Sequence, residues 1–163
     1  EFDRSRLMIA RGNSSDALRN SREALNSLGE GTEDESYGWL ELALGDSLQA
    51  RGDTINACTN YQNSYARAKK SEDRTLSTAA VLRLARVAYS TSDLNQAIKL
   101  YDKAQMRYAE ELDNPRGEGI ASLGLGTTYT MIGDFESANR SLDQAHSIFS
   151  ALRSISRPIL QKL

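Results

Sequence analysis

The sequence predicts an all-α fold, a solenoid of antiparallel helix hairpins. One short pattern returns four times: Gly12-Asn13 with Ala17, Gly52-Asp53 with Ala57, Ser92-Asp93 with Ala97, and Gly133-Asp134 with Ala138. The alanines are 40, 40 and 41 residues apart, and a fixed period of this size marks stacked supersecondary units. Between the turns, apolar residues recur at spacings of three and four. That is the helical period, and no alternating strand pattern interrupts it.

Each hairpin can be justified in order. Only residues 1–11 precede the first turn, so 1–31 reads as a partial repeat. The second repeat, 32–73, opens on the capping box Thr32-Glu33-Asp34-Glu35. Trp39, Leu40, Leu42, Ala43, Leu44 and Leu48 follow. Gly52 supplies the left-handed residue that ends this helix, and Asp53 caps the next. The partner helix carries Ile55, Ala57, Cys58, Tyr61, Tyr65 and Ala68. The third repeat, 74–113, runs from about Thr75 to Ser90, turns at Asp93 and continues to about Leu112. The fourth, 114–155, opens on Asn114-Pro115, a cap followed by proline at the first helical position. It turns at Gly133-Asp134 and continues to about Leu152. Residues 156–163 read as the start of a further helix or a tail. The abrupt beginning and the apolar end Pro158–Leu163, which lacks a polar cap, predict a segment of a longer protein.

Small residues recur where two helices of a hairpin would cross. These are Ala17, Ala57, Ala97 and Ala138; Gly45, Ala85 and Gly126; and Ala24, Ser64, Ala104 and Ala145. Larger residues alternate with them: Leu44, Leu84 and Leu125, then Tyr61, Tyr101 and Leu142.

These positions resemble the tetratricopeptide repeat (TPR), whose consensus is Trp-x2-Leu-Gly-x2-Tyr…Ala-x3-Phe…Pro. The fourth repeat reads Leu125-Gly126-x2-Tyr129…Ala138-x3-Leu142. The second reads Leu44-Gly45…Ala57-x3-Tyr61, and the third Leu84-Ala85…Ala97-x3-Tyr101. The consensus Trp is replaced by Glu41, Val81 and Ser122, and the closing Pro is missing. A period near 40 exceeds the usual 34, so each second helix or its linker is expected to be longer. The longer form is similar to the repeats of kinesin light chains, of LGN/Pins-type adaptors and of MalT-like STAND regulators. The resemblance implies a right-handed solenoid whose first helices line a concave groove.

By that resemblance, four positions on each first helix face the groove. They are Trp39, Leu42, Asp46 and Gln49; Ala79, Leu82, Arg86 and Tyr89; and Ile120, Leu123, Thr127 and Thr130. Leu42, Leu82 and Leu123 form an apolar stripe, which reads either as a peptide-binding surface or as core. The charged clamp by which chaperone-binding repeats hold a C-terminal carboxylate is not matched, since only Arg86 fits it. The asparagine ladder of the light-chain and adaptor repeats is also missing.

Other function classes find little support. With 20 Lys and Arg against 22 Asp and Glu, the chain lacks the basic excess of a nucleic-acid binder. No apolar run reaches the length of about 18 residues needed to cross a bilayer, and no signal-peptide pattern opens the chain. Cys58 is the one cysteine, which excludes an internal disulfide and fits a reducing, cytoplasmic setting. His146 and Cys58 lie in different repeats without catalytic partners, so neither an enzyme nor a cofactor or metal site is expected. Gly117-x-Gly119 and Gly124-x-Gly126 follow no strand and precede no Gly-Lys-Ser/Thr, unlike a phosphate loop. The expected function is a scaffold holding a peptide or helix of a protein partner. An effector-sensing module of a larger STAND-type regulator is the alternative, and self-association through uncapped ends a third reading.

Overall fold

The computed structural model describes residues 14–28 and 35–160, with side chains for 15–27 and 36–154. Among them there are seven α-helices and no strand. We number these α1 (Ser14–Leu28), α2 (Glu35–Ala50), α3 (Thr54–Lys70), α4 (Arg74–Ser90), α5 (Leu94–Met106), α6 (Pro115–Ile132) and α7 (Phe135–Leu160). A π-helical turn, Arg107–Glu111, extends α5. The helices fall into two compact units, Glu1–Ala80 and Val81–Leu163, with the boundary inside α4. In the first unit α1 packs on α2 and α2 on α3. In the second α5 packs on α6 and α6 on α7.

The turns are built alike. A left-handed residue ends one helix, and the next residue caps the following one. Gly52 (φ 82°) and Gly133 (φ 90°) take the left-handed position, and so do Glu72 (φ 58°), Ser92 (φ 63°) and Asp113 (φ 45°). The caps are Asp53, Asp73, Asp93, Asn114 and Asp134. Each side chain accepts a hydrogen bond from the backbone N–H three residues on, at 2.9–3.2 Å. Asp73 is a cap that the sequence pattern does not announce, because a glutamate precedes it. The Gly12-Asn13 turn and the cap residues Thr32–Asp34 lie outside the described residues.

The extra length of the repeat lies in the helices. The connections 51–53, 71–73 and 91–93 are short and of equal length, while α3 and α4 have 17 residues apiece. The last step of the period, 41 instead of 40, has a local cause. The segment from Leu94 to Glu111 is one residue longer than α3, and the π-helical turn takes up that residue. Leu112 N–H donates to Arg107 O at 3.0 Å, and Asn114 N–H to Tyr108 O at 2.8 Å. At the other end, α7 runs unbroken to Leu160, where the sequence reading placed a new start at 156.

The small crossing positions are core except Ala24, which is half-buried. Ala17, Ala57, Ala85, Ala97, Ser64 and Ala104 are fully buried, and Ala138 and Ala145 nearly so. Tyr61 lies against Gly45, where an added Cβ would come within 2.5 Å of its ring. The glycines of α6 have the same cause. A Cβ at Gly117 would meet the Tyr108 ring at 2.5 Å, and one at Gly124 would strike the Tyr101 ring. Two rings from the preceding helix thus press directly on the α6 backbone.

Candidate functional site

The predicted groove residues divide between the two units. In the first unit, most are already engaged. Trp39 is half-buried, and its indole N–H donates to Asp73 Oδ2 at 3.2 Å, tying α2 to the cap of α4. Leu42 is 0% exposed. Asp46 accepts from the Tyr61 hydroxyl at 2.9 Å. Gln49 is half-buried, and Ala79 is buried.

A second cluster joins α2 and α3. Glu41, at the consensus Trp position, is buried beside Arg67, whose Nε lies 3.1 Å from Glu41 Oε2. Burial pushes the Glu41 carboxyl above its ordinary range, and Arg67 only partly opposes this. The Arg67 guanidinium also sits 4.1 Å above the centre of the Tyr37 ring.

The second unit is different. Leu82 is buried at 6%, but its repeat equivalent Leu123 is 46% exposed and Ile120 is 40% exposed. Thr127 and Thr130 are exposed on the same side of α6. Their hydroxyls donate back to Gly124 O at 2.9 Å and Gly126 O at 2.8 Å. Each hydroxyl therefore spends its one donor on its own helix. Met131, exposed at 63%, continues this row at i+4 from Thr127. The motif positions omit it, although its helical spacing was readable. On α4, Arg86 is exposed and Tyr89 half-buried. Burial raises the Tyr101 phenol, and the Arg86 charge opposes that rise.

Behind the face, α5, α6 and α7 are laced together. Gln105 donates to Ser122 Oγ at 3.0 Å and to Gln144 Oε1 at 2.8 Å, and Gln144 donates to Glu118 at 2.9 Å. This fixes α6 from the side opposite Ile120. No three His, Cys, Asp or Glu residues converge as a metal site among the described residues. His146 is exposed and Cys58 half-buried. No helix among the described residues is long and apolar enough to cross a membrane.

Helix hairpins with like turns and like caps define a class, the α-helical repeat, and comparison with known proteins sharpens it. Residues 77–151 match the family model of the tetratricopeptide repeat. That segment is tetratricopeptide repeat, and the described chain has the fold of that family. BtubC (BKLC) from P. vanneervenii superposes with a TM-score of 0.77 at 18% identity, over 91% of this chain and 61% of that one. The chain thus spans less than two thirds of the BtubC structure. Two structures of a putative kinesin light chain with nearly identical TPR-like repeats, from Podosopora anserina, also superpose. One, of a variant with a single substitution, gives 0.69 at 17% identity, over 92% of this chain and 73% of that one. The other gives 0.61 at 14% identity, over 93% and 94%. No curated protein matches in sequence.

Proposed function

We propose that the chain is a protein-interaction scaffold whose second unit holds an apolar segment of a partner on the exposed face of α6. Tetratricopeptide repeats mediate protein–protein interaction, and the observation that favours this face is its exposed row. Ile120, Leu123 and Met131 stand 40–63% exposed in line, with the intervening threonine hydroxyls already bonded. Singly exposed apolar residues are ordinary on a protein surface, whereas several aligned on one helix face favour a partner there. Leu42 and Leu82, buried as they are, act in this reading as the frame of the array, and Leu123 acts as the contact.

The test is to select peptides from a displayed random library on the immobilised chain, then add one to the isotopically labelled protein. Amide resonances of residues 116–131 should shift in a saturable way. Shifts confined to α1–α3, or no selected binders, would defeat the assignment.

A further inference from the structure

The repeat register sets Tyr61 against Tyr101, each four residues after its turn alanine. It also sets Asp46 against Arg86, each one residue after the small crossing position of its first helix, and Gln49 against Tyr89. In the first unit the tyrosine is answered from within. The buried Tyr61 donates its hydroxyl proton to Asp46 Oδ1 at 2.9 Å.

In the second unit the equivalent phenol has no such answer. Tyr101 is 5% exposed, yet its hydroxyl meets no acceptor among the described residues, and the oxygen still reaches solvent. The carboxylate of Asp46 is replaced by the guanidinium of Arg86, which can only donate. Arg86 is exposed and forms no ion pair among the described residues. Burial raises the Tyr101 phenol most; the Arg86 charge lowers it and Tyr89 raises it, so both groups act at this hydroxyl. The ring is held in place. Where Gly45 gives room to the Tyr61 ring, the third repeat has Ala85, and the Tyr101 ring lies instead against Gly124. A fixed, largely buried donor beside an unpaired cation is suited to an anionic acceptor from outside.

We propose that Arg86 and Tyr101, with Tyr89 beside them, form a receptor for one side-chain carboxylate, an Asp or Glu within a partner peptide, which takes on the Tyr101 hydroxyl the place that Asp46 takes on Tyr61. Arg86 supplies the counter-charge and Tyr101 the directed hydrogen bond. The receptor is built by α4 and α5, so it goes beyond the proposed function and holds whether or not the ligand also uses α6. The fourth repeat has Thr127 and Leu142 at the matching positions and cannot form a second one.

Two measurements test it. The first needs no ligand. Tyr61→Phe takes the donor from Asp46 and should lower the urea midpoint, whereas Tyr101→Phe removes a hydroxyl without an internal partner and should leave the midpoint unchanged or raised. Equal losses from the two changes would overturn the proposal. The second uses peptides selected on the native protein from a displayed random library and resynthesised with both ends capped. They should share an Asp or Glu at one position. Changing it to Asn or Gln should weaken binding at least about tenfold on the native protein and less than about twofold on the Tyr101→Phe protein. Arg86→Asp, which sets a carboxylate where Asp46 stands, should cost the acidic peptide at least about tenfold with the circular dichroism spectrum unchanged. No selected binders, binders without a shared acidic position, or an acidic residue whose full effect persists in the Tyr101→Phe protein would overturn the receptor. So would a neutral peptide whose binding is restored by uncapping its C-terminus, because the site would then hold a chain end.

Discussion

At the scale of single residues, the turns set the hairpins and their chemistry is testable. Ser92 and Glu72 are exposed side chains held in the left-handed region, where a Cβ costs about 1–2 kcal/mol. Ser92→Gly should raise stability in urea by about 0.5–1 kcal/mol after the entropy of glycine is deducted. Gly133→Ala should lower it by about 1 kcal/mol. Gly124 makes the opposite case. Inside an exposed helix Gly→Ala gains about 1 kcal/mol, but here the methyl would strike the Tyr101 ring, so Gly124→Ala should destabilise by about 1–3 kcal/mol. A stabilised Gly124→Ala protein would mean that the ring does not press on α6. The carboxyl groups add a pH signature. Asp134 is held below the ordinary carboxylate range, first by the Ser137 side chain and then by its backbone N–H. Its contribution is therefore complete above the unfolded pKa of about 3.9 and is lost as pH falls through the folded value. Asp134→Asn should flatten that acid limb in pH-dependent unfolding. Glu41 has the opposite sign, because burial raises it. Its charge weakens the fold as pH rises above about 4.3, and Glu41→Gln should remove that slope.

At the scale of elements, the sequence was legible where turn chemistry is explicit and silent where packing decides. Gly52-Asp53 and Gly133-Asp134 announce both the left-handed residue and the cap. Glu72-Asp73 does not, because nothing about a glutamate signals positive φ. The 41-residue step was visible as a number, but its form was not. Only the helices packed on either side determine whether an extra residue becomes a loop or a π-helical turn. Deleting Glu110 should convert Arg107–Glu111 to α-helix and leave Tyr108 in place over Gly117. Helical signal should be retained, with a stability change within about 1 kcal/mol. Deleting Gln105 instead rotates Tyr108 away and removes the links to Ser122 and Gln144, so it should unfold the second unit. Equal damage from both deletions would count against the π-helical turn as the absorber.

At the scale of the whole molecule, a repeat scaffold repeats its framework and varies its surface. Leu42, Leu82 and Leu123 occupy one motif position, yet the first two are buried and the third is open. Identical residues at identical register differ because their neighbours differ, and neighbours are the part of a repeat that a motif does not encode. For the same reason the consensus located Leu123 but passed over Met131, and it gave no account of Gly119, whose space is fixed by Phe149. The central claim is that the open face of α6 is where a partner binds. The most direct measurement is the affinity of a selected peptide for the native protein and for the Ile120→Asp, Leu123→Asp double variant, with unfolding curves recorded for both. The account predicts a loss of at least about tenfold in affinity with the unfolding midpoint nearly unchanged. Undiminished affinity for the double variant would contradict it.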